Sequence, residues 1–224
     1  MLVAPLSGAR SSSPAGDAAT RPFPLREEAA TRSGVRRIAL ITGMAAGGWQ
    51  ADGMDIADLL VDAFGRVREA VHGAVTGLTE EQLAARLDLE ANSIAWLVWH
   101  LTRVQDDHVA AVAGLEQVYT AKGWAKRFDF PFDDAAIGYG QSSAEVAAVR
   151  VSDPALLVDY YEDVHRQTLK FVRGLTAADL DRVVDEAWDP PVTLGVRLVS
   201  VVDDDLEHAG QAAFVRGVLE RRRG

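Results

Sequence analysis

From Met54 onward, apolar residues recur at steps of three and four. Ile56, Leu59, Leu60, Ala63, Val67 and Val71 fall on one stripe, the spacing of a helix that buries one face. A helix over 55–76 is predicted, ended by Gly77. The segment TEEQLAARL follows, with Thr79 placed as a cap and Glu81 and Gln82 in its first turn, a short helix. Residues 93–114 read as a second long helix, capped by Asn92 or Ser93 and ended by Gly114. Residues 116–152 hold Gly123, Pro131, Gly138 and Gly140 with aromatics between them, which predicts a long irregular connection. A third long helix is expected over 153–174, with Pro154 in its first turn, and TAADLDRVV is a second short one. Pro190 and Pro191 precede a fourth long helix over 192–222, whose last turn carries arginines where the helix dipole favours cations.

An internal repeat supports this reading. GLTEEQL at 77–83 answers GLTAADL at 174–180, each between two long helices. Each half is long, short, long. Two such halves predict an all-α four-helix bundle with strands essentially absent.

The first fifty-odd residues break the pattern. They are rich in Ala, Ser, Gly and Pro, so 1–53 is expected to be a disordered or weakly ordered extension and 54–224 the bundle domain. A chain starting at Met54 is expected to fold as stably as the whole, and Met44 and Met54 are alternative translation starts to Met1. RIALITGMAAGGWQ at 37–50 imitates a strand entering a phosphate loop. Trp49 stands where a third glycine would help, and no second strand follows, so a dinucleotide site is not expected. The extension lacks the charged start and long apolar core of a signal peptide.

Composition narrows the function. The net charge is −10, the wrong sign for a nucleic-acid binder. There is no apolar run long enough for a membrane span. Cysteine is absent. Disulfides, a thiolate nucleophile and Cys-ligated metals are therefore excluded, and a cytoplasmic address is the default.

The candidate chemistry lies in two helices. VVDDDLEHAGQAAFVRG at 201–217 puts three aspartates and a histidine inside an apolar-periodic segment. Asp204 and His208 are four apart and share a face. In the second long helix, His100 sits within WLVWHLTRV. A facing pair of this kind plus one more ligand is how helical bundles build metal sites. His100, Asp204 and His208 would offer three N/O ligands and an open position, suited to zinc, nickel or a similar divalent ion. The plainer alternative is two satisfied boundary histidines and a solvated acidic face. Asp203 is expected to face solvent and Asp205 to lie at the edge, as the fallback ligand.

Other residues carry two readings each. Asp107 could orient a ligand imidazole. Gln211 could hydrogen-bond a ligand or close the bundle end. His72 and His165 are expected at the surface or boundary. Trp124, Arg127, Phe128, Phe130, Phe132 and Tyr139 suit either a lid over a small-molecule pocket or an apolar plug.

SIAWLVWHLTRVQDDH, followed about a hundred residues later by DDDLEHAGQAAFVRG, resembles the DinB-like superfamily, which includes mycothiol-dependent maleylpyruvate isomerase and related thiol transferases. The resemblance rests on WHL at 99–101 and H-x-G-Q at 208–211 and covers residues 54–224. It implies a four-helix bundle with a metal triad, here His100, Asp204 and His208. Asp204 departs from the His or Glu more usual at that position. It further implies a transferase or isomerase using a low-molecular-weight, mycothiol-like thiol as cosubstrate with a small-molecule substrate. The alternative is a non-catalytic helical-bundle interaction or homodimerisation module with a structural or vestigial metal site.

Overall fold

The protein is described by a computed structural model, which covers residues 53–222. The expectations for residues 1–52, the decoy loop and the extension among them, lie outside the described residues.

Four long helices form the body: α1 (Ile56–Val75), α3 (Ile94–Ala113), α7 (Pro154–Val172) and α8 (Leu194–Arg221). Each starts where a side chain can accept from the exposed N–H groups of the first turn. Asp55 caps α1, Ser93 caps α3, Asp153 caps α7 ahead of Pro154, and Thr193 caps α8. Gly114 ends α3 in the left-handed region at φ 66°, a conformation that costs glycine nothing. The short α2 (Glu80–Ala84) has the reciprocal capping box of Thr79 and Gln82.

The second short element is a 3₁₀ turn, Ala177–Asp181, rather than an α-helix. It leads into a minimal antiparallel pairing of Val183–Asp185 with Val192–Thr193. The connection expected to be irregular contains three short helices: α4 (Val118–Ala121), α5 (Trp124–Phe128) and α6 (Ser143–Ala148).

Around the bundle, α1 packs on α7 and α8, and α3 packs on the same two. So α7 and α8 stand diagonally opposite. The α1 stripe centres on Leu60, Phe64, Val67, Val71 and Ala74, while Leu59 is half exposed. The stripe is thus shifted from the expected set, and Phe64 replaces Leu59 as an anchor.

Two apolar clusters fill the interior. One joins Val67 and Val71 to Leu97, Leu101, Leu157, Val164 and Ala212. The other joins Leu60 and Phe64 to Val172, Leu194, Leu198 and Val201. Polar side chains lie between them along the helices. Gln105 donates to Thr168 Oγ1 at 2.7 Å, and His165 and Asp205 are buried in the same interval of α7 and α8.

A buried charge network ties the connection to α3. Asp106 accepts from the backbone N–H groups of Val118 and Tyr119, each at 2.8 Å, and from the Tyr160 hydroxyl at 3.0 Å. Arg103 lies 3.7 Å from that carboxylate and covers the Tyr119 ring. The same guanidinium donates to the carbonyls of Asp134 and Ala136, both at 3.2 Å, and to Gln117 at 2.8 Å. Neither residue is exposed, so each needs the other's bonds to offset desolvation.

Candidate metal centre

One stripe of α3 holds the connection down. Trp96, His100 and Arg103 are spaced four and three apart and point to the strap 134–141. Trp96 Nε1 donates to Gln141 at 2.7 Å, His100 Nδ1 to the Ile137 carbonyl at 2.5 Å, and Arg103 to Ala136 and Asp134. Gly138 makes this approach possible. At φ +100°, a Cβ there would stand 2.5 Å from His100 Nδ1 and 3.1 Å from Trp96 Cζ2.

On the opposite side α8 presents Asp204 and His208. His100, Asp204 and His208 each bring one donor atom into a group whose members all lie within 4.8 Å of one another. The two imidazole centroids are 4.8 Å apart at 67°, and His208 Nε2 is 3.7 Å from Asp204 Oδ1. Trp96 stacks on His100 at 4.5 Å and meets His208 edge-on at 6.3 Å, walling one side with an apolar ring.

The hydrogen bonds decide the tautomers. A carbonyl only accepts, so the proton on His100 sits at Nδ1, and the Nε2 lone pair is left over. His208 Nδ1 likewise faces Gln211 Oε1 at 3.1 Å, which leaves its Nε2 as the lone pair beside Asp204. Burial lowers the His100 pKa, with His208 adding to that effect against the opposing Ile137 bond and the Asp204 charge. The ring is therefore neutral, the form that ligates metals. Two Nε2 lone pairs and one carboxylate oxygen are a donor set that fits a borderline divalent ion. Donors sharing one tetrahedral ion stand about 3.4 Å apart, close to the 3.7 Å of the Asp204–His208 pair.

The chain matches the mycothiol-S-transferase family over residues 59–221. It belongs to that family, which is DinB-like. Among solved structures, the conserved protein of locus from Enterococcus faecalis is similar at 27% identity and a TM-score of 0.69. That alignment covers 73% of this chain and 96% of the other. No curated protein matches.

Within this family fold, the expected residues separate cleanly. His100, Asp204 and His208 come together, and Asp203 is exposed as expected. Asp205 is not at the edge. It is fully buried on another face of α8, with neither carboxylate oxygen hydrogen-bonded. Burial first, then the Asp204 charge, raises its pKa well above the usual carboxylate range. Burial likewise raises the pKa of the Tyr161 phenol on the diagonal helix α7. Asp205 is not part of the converging group of His100, Asp204 and His208.

Asp107 orients no triad imidazole; it meets His108 at 3.3 Å and Gln117 at 2.7 Å. The orienting partners are the Ile137 carbonyl and Gln211. A backbone carbonyl leaves no mark in a sequence, though Gly138 beside it was a visible clue. His72 is a boundary residue paired with Glu162 at 2.6 Å. His165 is buried instead, stacked at 5.9 Å on Tyr161. The aromatic connection is mainly a plug: Trp124 and Phe128 are buried, Phe130 and Phe132 pack against Trp99, and Tyr139 and Arg127 are exposed, Arg127 lying over the Trp124 ring.

Proposed function

We propose that the protein transfers a low-molecular-weight, mycothiol-like thiol to an electrophilic small molecule, using a divalent ion held by His100, Asp204 and His208. Isomerisation by reversible thiol addition is the sister chemistry of the same site. The observation that carries the reading is the convergence of one donor atom each from His100, Asp204 and His208 within 4.8 Å of one another. The membership in a mycothiol-S-transferase family and the absence of any cysteine support it, because the sulfur nucleophile must then arrive with a ligand.

A divalent ion such as zinc or nickel, held by His100, Asp204 and His208, would supply Lewis acidity that lowers the pKa of a thiol. The protein's own groups prepare that site. Ile137 and Gln211 keep both Nδ1 protons in place, so both Nε2 atoms stay available. Trp96 excludes water from one side of the imidazoles. The neutral state of His100 removes competition from a proton.

The test is a zinc titration of the chelator-treated full chain, with thiol consumption measured on a chromogenic aryl halide. Zinc at a hundred times its Kd stabilises by about 2.7 kcal/mol, a rise of roughly 5–10 °C in Tm for a domain of this size. His208→Ala is expected to abolish both the rise and the thiol-dependent turnover while keeping the helical circular dichroism. An unchanged turnover in His208→Ala sinks the proposal. A zinc-stabilised protein without turnover reduces the site to a structural one.

A further inference from the structure

Beside the triad lies a cleft of about 410 Å³, a size that suits a small molecule. Its apolar lining comes from Ala91, Leu97, Phe214 and Val215, and its polar lining from the amides of Asn92 and Gln211. None of these is charged. The cleft shares Gln211 with the triad, since that amide oxygen accepts from His208 Nδ1. Leu97 follows Trp96, which touches both imidazoles. Gln211 is thus the side chain common to the cleft wall and to the surroundings of the triad.

The chemistry of the walls selects what can sit there. Gln211 Oε1 is committed to His208, which leaves its NH₂ to donate to a ligand carbonyl or hydroxyl. Phe214 is 63% exposed and offers a ring face at the mouth. A carboxylate would be desolvated with no cation to receive it. Arg86, whose guanidinium reaches the lining residue Ala91, is spent on the carbonyls of Ala91 and Leu89 and on Ser143. Charges of both signs flank the lining residues in sequence, Glu90 and Glu207 against Arg216, and Arg216 is spent on Glu220 and on the carbonyls of Gly73 and Thr76. None of them lines the cleft, so neither an anion nor a cation gains a direct partner inside it.

We propose that this cleft receives an uncharged ligand portion, apolar on one side and amide- or hydroxyl-bearing on the other, and rejects carboxylates. The proposal deepens the thiol-transfer reading and rests on it for the role of the triad.

Three near-isosteric probes test it: benzamide, benzoate and benzamidinium. Each is titrated into metal-free full-length protein at physiological salt and followed by ligand-observed NMR. Benzamide is expected to bind with a Kd on the order of millimolar, the scale for so small a ligand. Benzoate and benzamidinium are expected to bind at least about tenfold more weakly, the penalty for an unpaired buried charge. Phe214→Ala removes an exposed ring without opening the core, and should weaken benzamide several-fold with unchanged Tm. Equal or tighter binding of benzoate or benzamidinium overturns the proposal. So does absence of benzamide binding, or benzamide binding indifferent to Phe214→Ala. Because the protein is metal-free in this assay, the outcome is independent of the zinc titration. Loss of zinc binding with benzamide selectivity intact would sink the metal reading and leave this one standing.

Discussion

Gly138→Ala isolates the contact that holds His100. Two costs act at once. The residue has φ +100°, and the new Cβ would stand 2.5 Å from His100 Nδ1 and 3.1 Å from Trp96 Cζ2. The backbone conformation alone costs an alanine about 1–2 kcal/mol. The clash forces the strap to lift, which breaks the His100–Ile137 bond and strains Trp96–Gln141, at about 1 kcal/mol each. The sum is about 3–4 kcal/mol. Gly140 is the internal control: it too has positive φ, +72°, but a Cβ there meets nothing within 4 Å. Gly140→Ala should therefore cost only the conformational part, a Tm loss of roughly 2–8 °C against roughly 6–16 °C for Gly138→Ala. If the strap lifts locally instead of unfolding the body, the deficit moves to the site, and zinc affinity falls about 10–100-fold as for other lost orienting partners. Differential scanning fluorimetry and a zinc titration read both quantities. Equal melting and equal zinc affinity in the two variants would refute the claim that the strap backbone orients His100.

Asp106→Ala should be the most damaging single change away from the triad. It strands the N–H groups of Val118 and Tyr119, the Tyr160 hydroxyl and the fully buried Arg103. Urea unfolding should show a loss of about 3–5 kcal/mol, and a loss below about 1 kcal/mol would be incompatible with that network. His165 makes acid stability testable. Burial, the leading cause, lowers its pKa to about 4, so the folded state binds fewer protons than the unfolded state between about pH 6.5 and pH 4. Its contribution is present above pH 6.5 and is lost as pH falls through the folded value. His165→Phe should flatten the pH dependence of Tm across that window, and an unchanged slope would show that this ring is not the titrating group.

The helices were legible because their ends carry their own chemistry. Asp55, Thr79, Ser93, Asp153 and Thr193 cap from the side chain, and each long helix is long enough to show its period. The connection was not legible for the opposite reason. Helices α4, α5 and α6 have four to six residues, too few to show periodicity. Helix α4 starts where Asp106, twelve residues earlier, receives its first N–H groups, a tertiary bond with no local signature. The i, i+4 pairing of Asp204 and His208 was legible as spacing. Its meeting with His100 needed the packing of α3 on α8, and the resemblance carried that step.

The run of three aspartates on α8 has three different tasks because a helix turns about 100° per residue. Asp203 faces water. Asp204 lies 3.7 Å from His208 in the candidate centre. Asp205, one step further, points into the interior between the two apolar clusters, where no protein group hydrogen-bonds its carboxylate. Spacing on α8 alone separates these directions but cannot say what fills each one. Adjacent carboxyl groups are thereby driven apart in character: burial and the Asp204 charge favour the protonated acid at Asp205, which avoids setting a second buried negative charge beside the first. A bundle core has no packing use for Asp205 that a leucine would not serve better. Its acid is buried, as Gln105, Thr168 and His165 are, one position along α8 from the Asp204 that faces His208.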